Sequence, residues 1–94
     1  MRIEDLANYA SSLGTNLTKI EMKAEDDTCG HMIVVETKET YVFEDEDSAD
    51  EKVNEARQNS LFAAATKKYK QGKVNKSGEI VKPETWTVVI KLNH

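Results

Sequence analysis

Cysteine is almost missing from this chain. Cys29 stands alone, so there is no disulfide framework, and a reduced intracellular setting is expected. With only two histidines, His31 and His94, the ligands for a structural zinc are also short, because such a site needs four at defined spacing. Long apolar runs are absent. No stretch reaches the roughly 18 residues of a membrane span, so no membrane partner is expected. The opening Met1-Arg2-Ile3-Glu4-Asp5 has no basic segment followed by an apolar one, which reads as no signal peptide. Proline occurs once, at Pro83, and glycine four times, so chain breaks are few and each one is informative.

Catalytic equipment is equally sparse. No glycine-rich phosphate loop is present, since Gly72 and Gly78 are not set between a strand and a helix. Cys29-Gly30-His31 beside Asp26 and Asp27 gathers metal-ligand types, but reads more simply as a turn cysteine and a strand histidine. No third group orients His31 for nucleophilic work with Cys29. The carboxylates crowd one solvated run, which gives them like environments rather than the unlike ones that acid–base pairs need. Asp45, Asp47 and Asp50 lack the glycine and the loop length of an EF-hand. The expectation is a protein that is not an enzyme, with no cofactor and no metal.

What is present in quantity is charge, 32% of residues, for a net of −4. It is unevenly divided. Residues 1–55 carry 15 acidic and 5 basic side chains, and residues 56–94 carry 2 and 8, giving −10 and +6. Such a division points to electrostatic partners.

The element pattern is that of one α+β domain over 1–94. Ile3, Leu6, Ala10 and Leu13 lie on one helical face, and Gly14 closes a short N-terminal helix. Thr18, Ile20, Met22 and Ala24 alternate with Lys19, Glu21 and Lys23, which predicts a strand over 16–24. A turn at 25–30, a strand at 31–36, a connection at 37–40 and a strand at 41–44 complete an antiparallel three-stranded meander. A long central helix is predicted from Ser48 to Gly72. Ser48 and Glu51 have capping-box spacing, no glycine or proline interrupts 50–71, and Lys67, Lys68 and Lys70 suit a helix C-terminus. Ser77-Gly78 marks a turn between Val74 and Ile80-Val81. Trp86, Val88, Ile90 and Leu92 alternate with Thr87, Val89 and Lys91, which predicts a C-terminal strand over 85–92 that joins the sheet with one apolar face. Both helices are expected on one side of that sheet.

Two stretches are candidates for binding. The acidic one is Glu36, Glu39, Glu44, Asp45, Glu46, Asp47, Asp50 and Glu51, from the turn and the helix start at the two ends of a short strand about 15 Å long. Carboxylates spread over that distance could stand in for phosphates. The basic one is Lys67, Lys68, Tyr69, Lys70, Lys73 and Lys76, where lysines near an aromatic could bind phosphates and stack a base. Each also has a plainer reading, as a solvated helix start and as helix-end cations.

The opening Ile3-Glu4-Asp5-Leu6, and Thr40-Tyr41-Val42-Phe43-Glu44-Asp45-Glu46-Asp47-Ser48 leading into a helix, resemble small acidic phage-encoded anti-CRISPR proteins that inhibit Cas9. The resemblance covers roughly residues 1–70 as a pattern. It implies a short helix, an antiparallel sheet, and inhibition by occupying a basic nucleic-acid site. The partner would be a basic nucleic-acid-binding protein such as a Cas effector, in the cytoplasm of a host bacterium. The leading expectation is therefore a non-enzymatic acidic module that mimics phosphates. The alternatives are a small nucleic-acid-binding domain using 67–76, and a protein that self-associates through a strand edge.

Overall fold

A computed structural model describes residues 1–94. A 3-10 turn at Ile3–Asp5 runs into helix α1, Leu6–Ser11. Strands β1 (Leu17–Asp26) and β2 (Met32–Phe43) form a long hairpin, followed by helix α2 (Glu46–Arg57) and strand β3 (Phe62–Lys70). Two short strands, β4 (Lys73–Val74) and β5 (Ile80–Lys82), precede the last strand, β6 (Thr85–Asn93). The fold is α+β. Four strands make one antiparallel sheet in the order β1-β2-β6-β3, and β4 and β5 pair as a separate ribbon. Strands β2 and β3 each run antiparallel to β6, hence parallel to each other, so α2 is the crossover between them.

The predicted meander is corrected at residues 37–40. They are not a connection but the middle of β2, paired with β1 on one side and β6 on the other. Thr37-Lys38-Glu39-Thr40 holds no glycine, proline, asparagine or aspartate to make a turn, and its threonines favour extended backbone. A bulge places both Val34 and Glu36 opposite the step Lys23–Ala24, so the buried side of β2 changes from even to odd numbers between them.

The long central helix is also corrected. It stops at Arg57, and residues 62–70 form β3. Asn59 makes the break. Its side chain accepts the Leu61 N–H at 2.9 Å and its carbonyl accepts the Phe62 N–H at 3.0 Å. The alanines at 63–65 favour a helix locally, but pairing with β6 overrides that preference. At the other end the cap is Asp45 rather than Ser48. The Asp45 carboxylate accepts the Ser48 N–H at 2.8 Å, and the helix begins at Glu46.

The core lies between the sheet and the two helices. Tyr41, Phe43, Ala49, Ala56, Val88, Ile90 and Leu92 are its buried residues, with Tyr9, Leu13, Val53, Phe62 and Trp86 packed around them. The expected apolar face of the last strand is observed. Val88, Ile90 and Leu92 are buried and Trp86 is half-buried, its ring 5.2 Å from that of Tyr69. Edge strand β1 is covered less well, and Met22 is 43% exposed.

Candidate functional site

Period-two geometry sends alternate residues of a strand to opposite sides. The pairing registers then define what each side of the sheet carries. Helix-side rows include Ile20, Glu39, Ile90 and Ala65, and Leu17, Tyr41, Val88 and Lys67. Rows on the opposite, uncovered side are Glu21, Lys38, Lys91 and Ala64; Lys19, Thr40, Val89 and Thr66; and Val42, Thr87 and Lys68. Lys23 and Glu36 face each other further along, and Lys70 continues the alternation beyond Lys68.

The uncovered side is therefore basic. Lys19, Lys23, Lys38, Lys68, Lys70 and Lys91 stand against Glu21, Glu25 and Glu36. Glu21 lies 2.7 Å from Lys19, and Glu36 lies 3.3 Å from Lys91. Lys38 and Lys68 have no carboxylate in ion-pair range. They and Lys91 rim a depression of about 390 Å³ whose lining includes Thr66, Thr87 and Val89. Ammonium groups and hydroxyl donors around a floor of small side chains suit an oxyanion such as phosphate.

The basic run at 67–76 is divided by this geometry. Lys67 points to the helix side, where its Nζ meets Asp50 at 2.6 Å and Glu46 at 3.9 Å, and these contacts raise its pKa. Tyr69 is on the helix side, 55% exposed; its ring packs at a tilt on Trp86 and its hydroxyl donates to Glu84 at 2.8 Å. Lys68 and Lys70 face the open side. Lys73 belongs to the β4–β5 ribbon, directly opposite Lys82, and Lys76 lies in its turn. Close approach and repulsion by Lys70, with Lys73 adding, hold the Lys82 ammonium below the usual lysine range.

The acidic stretch is dispersed as well. Glu39 is 2% exposed and lies in the core, which removes it from any surface array. Its carboxylate accepts the hydroxyls of Tyr9 and of Tyr41, the latter at 2.6 Å. Burial first, and the bonds to Glu39 second, push both tyrosine pKa values up. His94 closes the cluster, with Nε2 2.7 Å from the Thr37 hydroxyl and its ring edge-on to Tyr9. Glu36 belongs to the basic side, and Asp50 is paired with Lys67. Glu44, Asp45, Glu46, Asp47 and Glu51 remain exposed around the start of α2. Because β2 is continuous, Glu36 and Glu44 stand roughly 27 Å apart along the strand, not 15 Å.

At the β1–β2 turn, Asp27 accepts the N–H groups of Cys29 and His31 at 2.8 and 2.9 Å. No group of three or more histidine, cysteine or carboxylate side chains is placed to hold a metal ion. No helix is long and apolar enough to cross a membrane. Sequence reasoning missed Lys38, Lys82, Lys91, Thr66 and Thr87. For Lys91 the signal was present, as the lysine between Ile90 and Leu92 must face away from the core. Comparison with protein-family models, with curated proteins and with solved structures gives no match.

Proposed function

We propose that the protein is a non-enzymatic domain that binds nucleic acid through its phosphates, on the uncovered side of the sheet. The observation that carries this is the group Lys38, Lys68 and Lys91 with Thr66 and Thr87 around one depression, where the six lysines of this side outnumber its carboxylates and Lys68 has no carboxylate in ion-pair range. Lysines in excess of their counter-ions repel one another, and a phosphate chain would relieve that. The side holds no aromatic ring, so the protein grips backbone phosphates and sequence preference is weak. The acidic helix start lies across the sheet and orients the approach by repulsion. The test is fluorescence anisotropy of labelled DNA and RNA across a salt series. Replacing Lys38, Lys68 and Lys91 together by Gln is expected to lower the slope of log affinity against log salt by about 2–3, near 0.9 for each duplex phosphate left without its lysine. No binding at low salt, or an unchanged slope, would refute the reading.

A second reading has its own observation. Glu44, Asp45, Glu46, Asp47 and Glu51 are exposed around a helix start that Asp45 caps, so part of the array is rigid before contact. In this reading the acidic edge occupies a basic groove of a nucleic-acid-handling protein, such as a CRISPR effector. Exchanging Glu46 and Glu51 for Gln and Asp47 for Asn keeps shape and removes charge. Slower association with a captured basic partner is expected, and an unchanged rate would dismiss the idea.

A further inference from the structure

The β4–β5 ribbon stands beyond the ends of the main strands, where β3 stops at Lys70 and β6 starts at Thr85. The molecule is 62 Å long, about twice the ~30 Å of its nine-residue strands. The ribbon's composition is that of a binding surface. Val74, Ile80 and Val81 are 63%, 76% and 66% exposed. Val74 and Ile80 are cross-strand partners and share one side of the ribbon. Lys73 faces Lys82 directly, and Lys70 adjoins them, an arrangement that costs stability in the free protein. None of Lys70, Lys73, Lys76 and Lys82 is ion-paired.

The ribbon is also braced. Asn75 Oδ1 accepts the N–H groups of Ser77 and Glu79 at 3.0 and 2.9 Å, and Gly78 takes φ +81° to close the turn. At its base, a Cβ on Gly72 would lie 2.6 Å from the Lys82 carbonyl oxygen and 2.8 Å from the Glu84 nitrogen. Only glycine lets the two backbones cross there.

We propose that this ribbon enters the major groove of duplex DNA, with Val74 and Ile80 against base edges and Lys70, Lys73 and Lys82 on flanking phosphates. The inference rests on the nucleic-acid reading above and names its substrate class. A B-form major groove, about 12 Å wide, admits a two-stranded ribbon and offers thymine methyl groups to apolar side chains. The major groove of A-form RNA is too deep and narrow.

Anisotropy is measured with a labelled DNA duplex, one of its single strands and an RNA duplex of the same sequence. The wild type is expected to prefer the DNA duplex. Val74→Ser with Ile80→Ser should weaken duplex binding about tenfold, because the base edges then meet hydroxyls instead of apolar side chains, and leave single-strand binding unchanged. Lys73→Gln with Lys82→Gln should lower the duplex salt slope by about 1.8. All four positions lie on a ribbon with no buried residue, so thermal unfolding midpoints should match the wild type and exclude misfolding. Equal binding to all three probes, with variants indistinguishable from wild type, overturns the ribbon but leaves the sheet-side reading. No binding to any probe overturns both. Concentration-dependent sedimentation that the Ser variant abolishes, without any duplex preference, overturns the proposal in favour of self-association.

Discussion

A carboxylate inside an apolar core needs its oxygens occupied, and Tyr9 and Tyr41 do this for Glu39. Removing it strands the Tyr41 hydroxyl in a buried site. Glu39→Leu is therefore expected to cost on the order of 1–3 kcal/mol for that donor alone, measured by chemical denaturation. The same cluster sets a pH response. Tyr9 and Tyr41 have pKa values raised by burial and then by Glu39, so the folded state resists their ionisation. Their contribution is fully present below the ordinary tyrosine value near pH 10 and is lost as pH rises through the higher folded values. His94 works in the opposite direction. Burial, and then the charge of the N-terminus, hold its pKa below the ordinary 6.5. Its contribution is present above about pH 6.5 and is lost as pH falls through the lower folded value. Unfolding midpoints across pH should decline on both sides, and His94→Asn should flatten the acidic side. At the α2 cap, Asp45→Ala is expected to lower the midpoint, and Ser48→Ala to lower it less, because the Ser48 hydroxyl and backbone N–H both hold the Asp45 carboxylate and the Ala variant keeps the N–H.

Elements differ in how firmly their neighbours hold them. Strand β2 has partners on both edges, whereas β3 and β1 each have one. Amide exchange should therefore be slow through residues 37–42 of β2, and fast at alternate positions of β3 whose N–H groups point outward. Rapid exchange across 37–40 would restore a turn there. The lysines on β3 and β1 also guard those free edges against pairing with another chain, so self-association along an edge is disfavoured. Burial divides the apolar residues in the same way. Ile90 is 2% exposed, and Ile90→Ala is expected to cost about 2–5 kcal/mol, from the apolar atoms removed and the cavity they leave. Ile80 is 76% exposed, and Ile80→Ser should stay within about 0.5 kcal/mol of the wild type.

The whole molecule is long and electrically divided. Its extents are 62 × 23 × 18 Å and its Cα radius of gyration is 16.4 Å. A compact chain of this length would have a radius near 12 Å. Small-angle scattering of the monomer should give a value close to the larger figure, and a result near 12 Å would show the ribbon folded back. The sheet separates an acidic helix edge from a basic open side, so a net charge of −4 describes neither surface. Rates of association with a polyanion should fall steeply with salt despite that negative total.

The sequence by itself determined the α+β class, the short first helix, the β1 strand, the turn at Ser77-Gly78 and the apolar side of β6. These follow from local pattern, where alternation, turn residues and glycine act within a few positions. It also showed that acidic and basic residues segregate along the chain. The tertiary structure decided the rest. Whether 62–70 is helix or strand depended on β6, whose paired residues arrive 15 to 30 positions later. Whether Glu39 is surface or core depended on tyrosines 30 residues before it and 2 after it. The open basic side is built from four strands, each supplying one or two lysines, and no single stretch of sequence displays it. Side-chain direction in a strand has period two, so the run at Lys67 and Lys68 is split between sides, while Lys38 and Lys91, 53 positions apart, become neighbours.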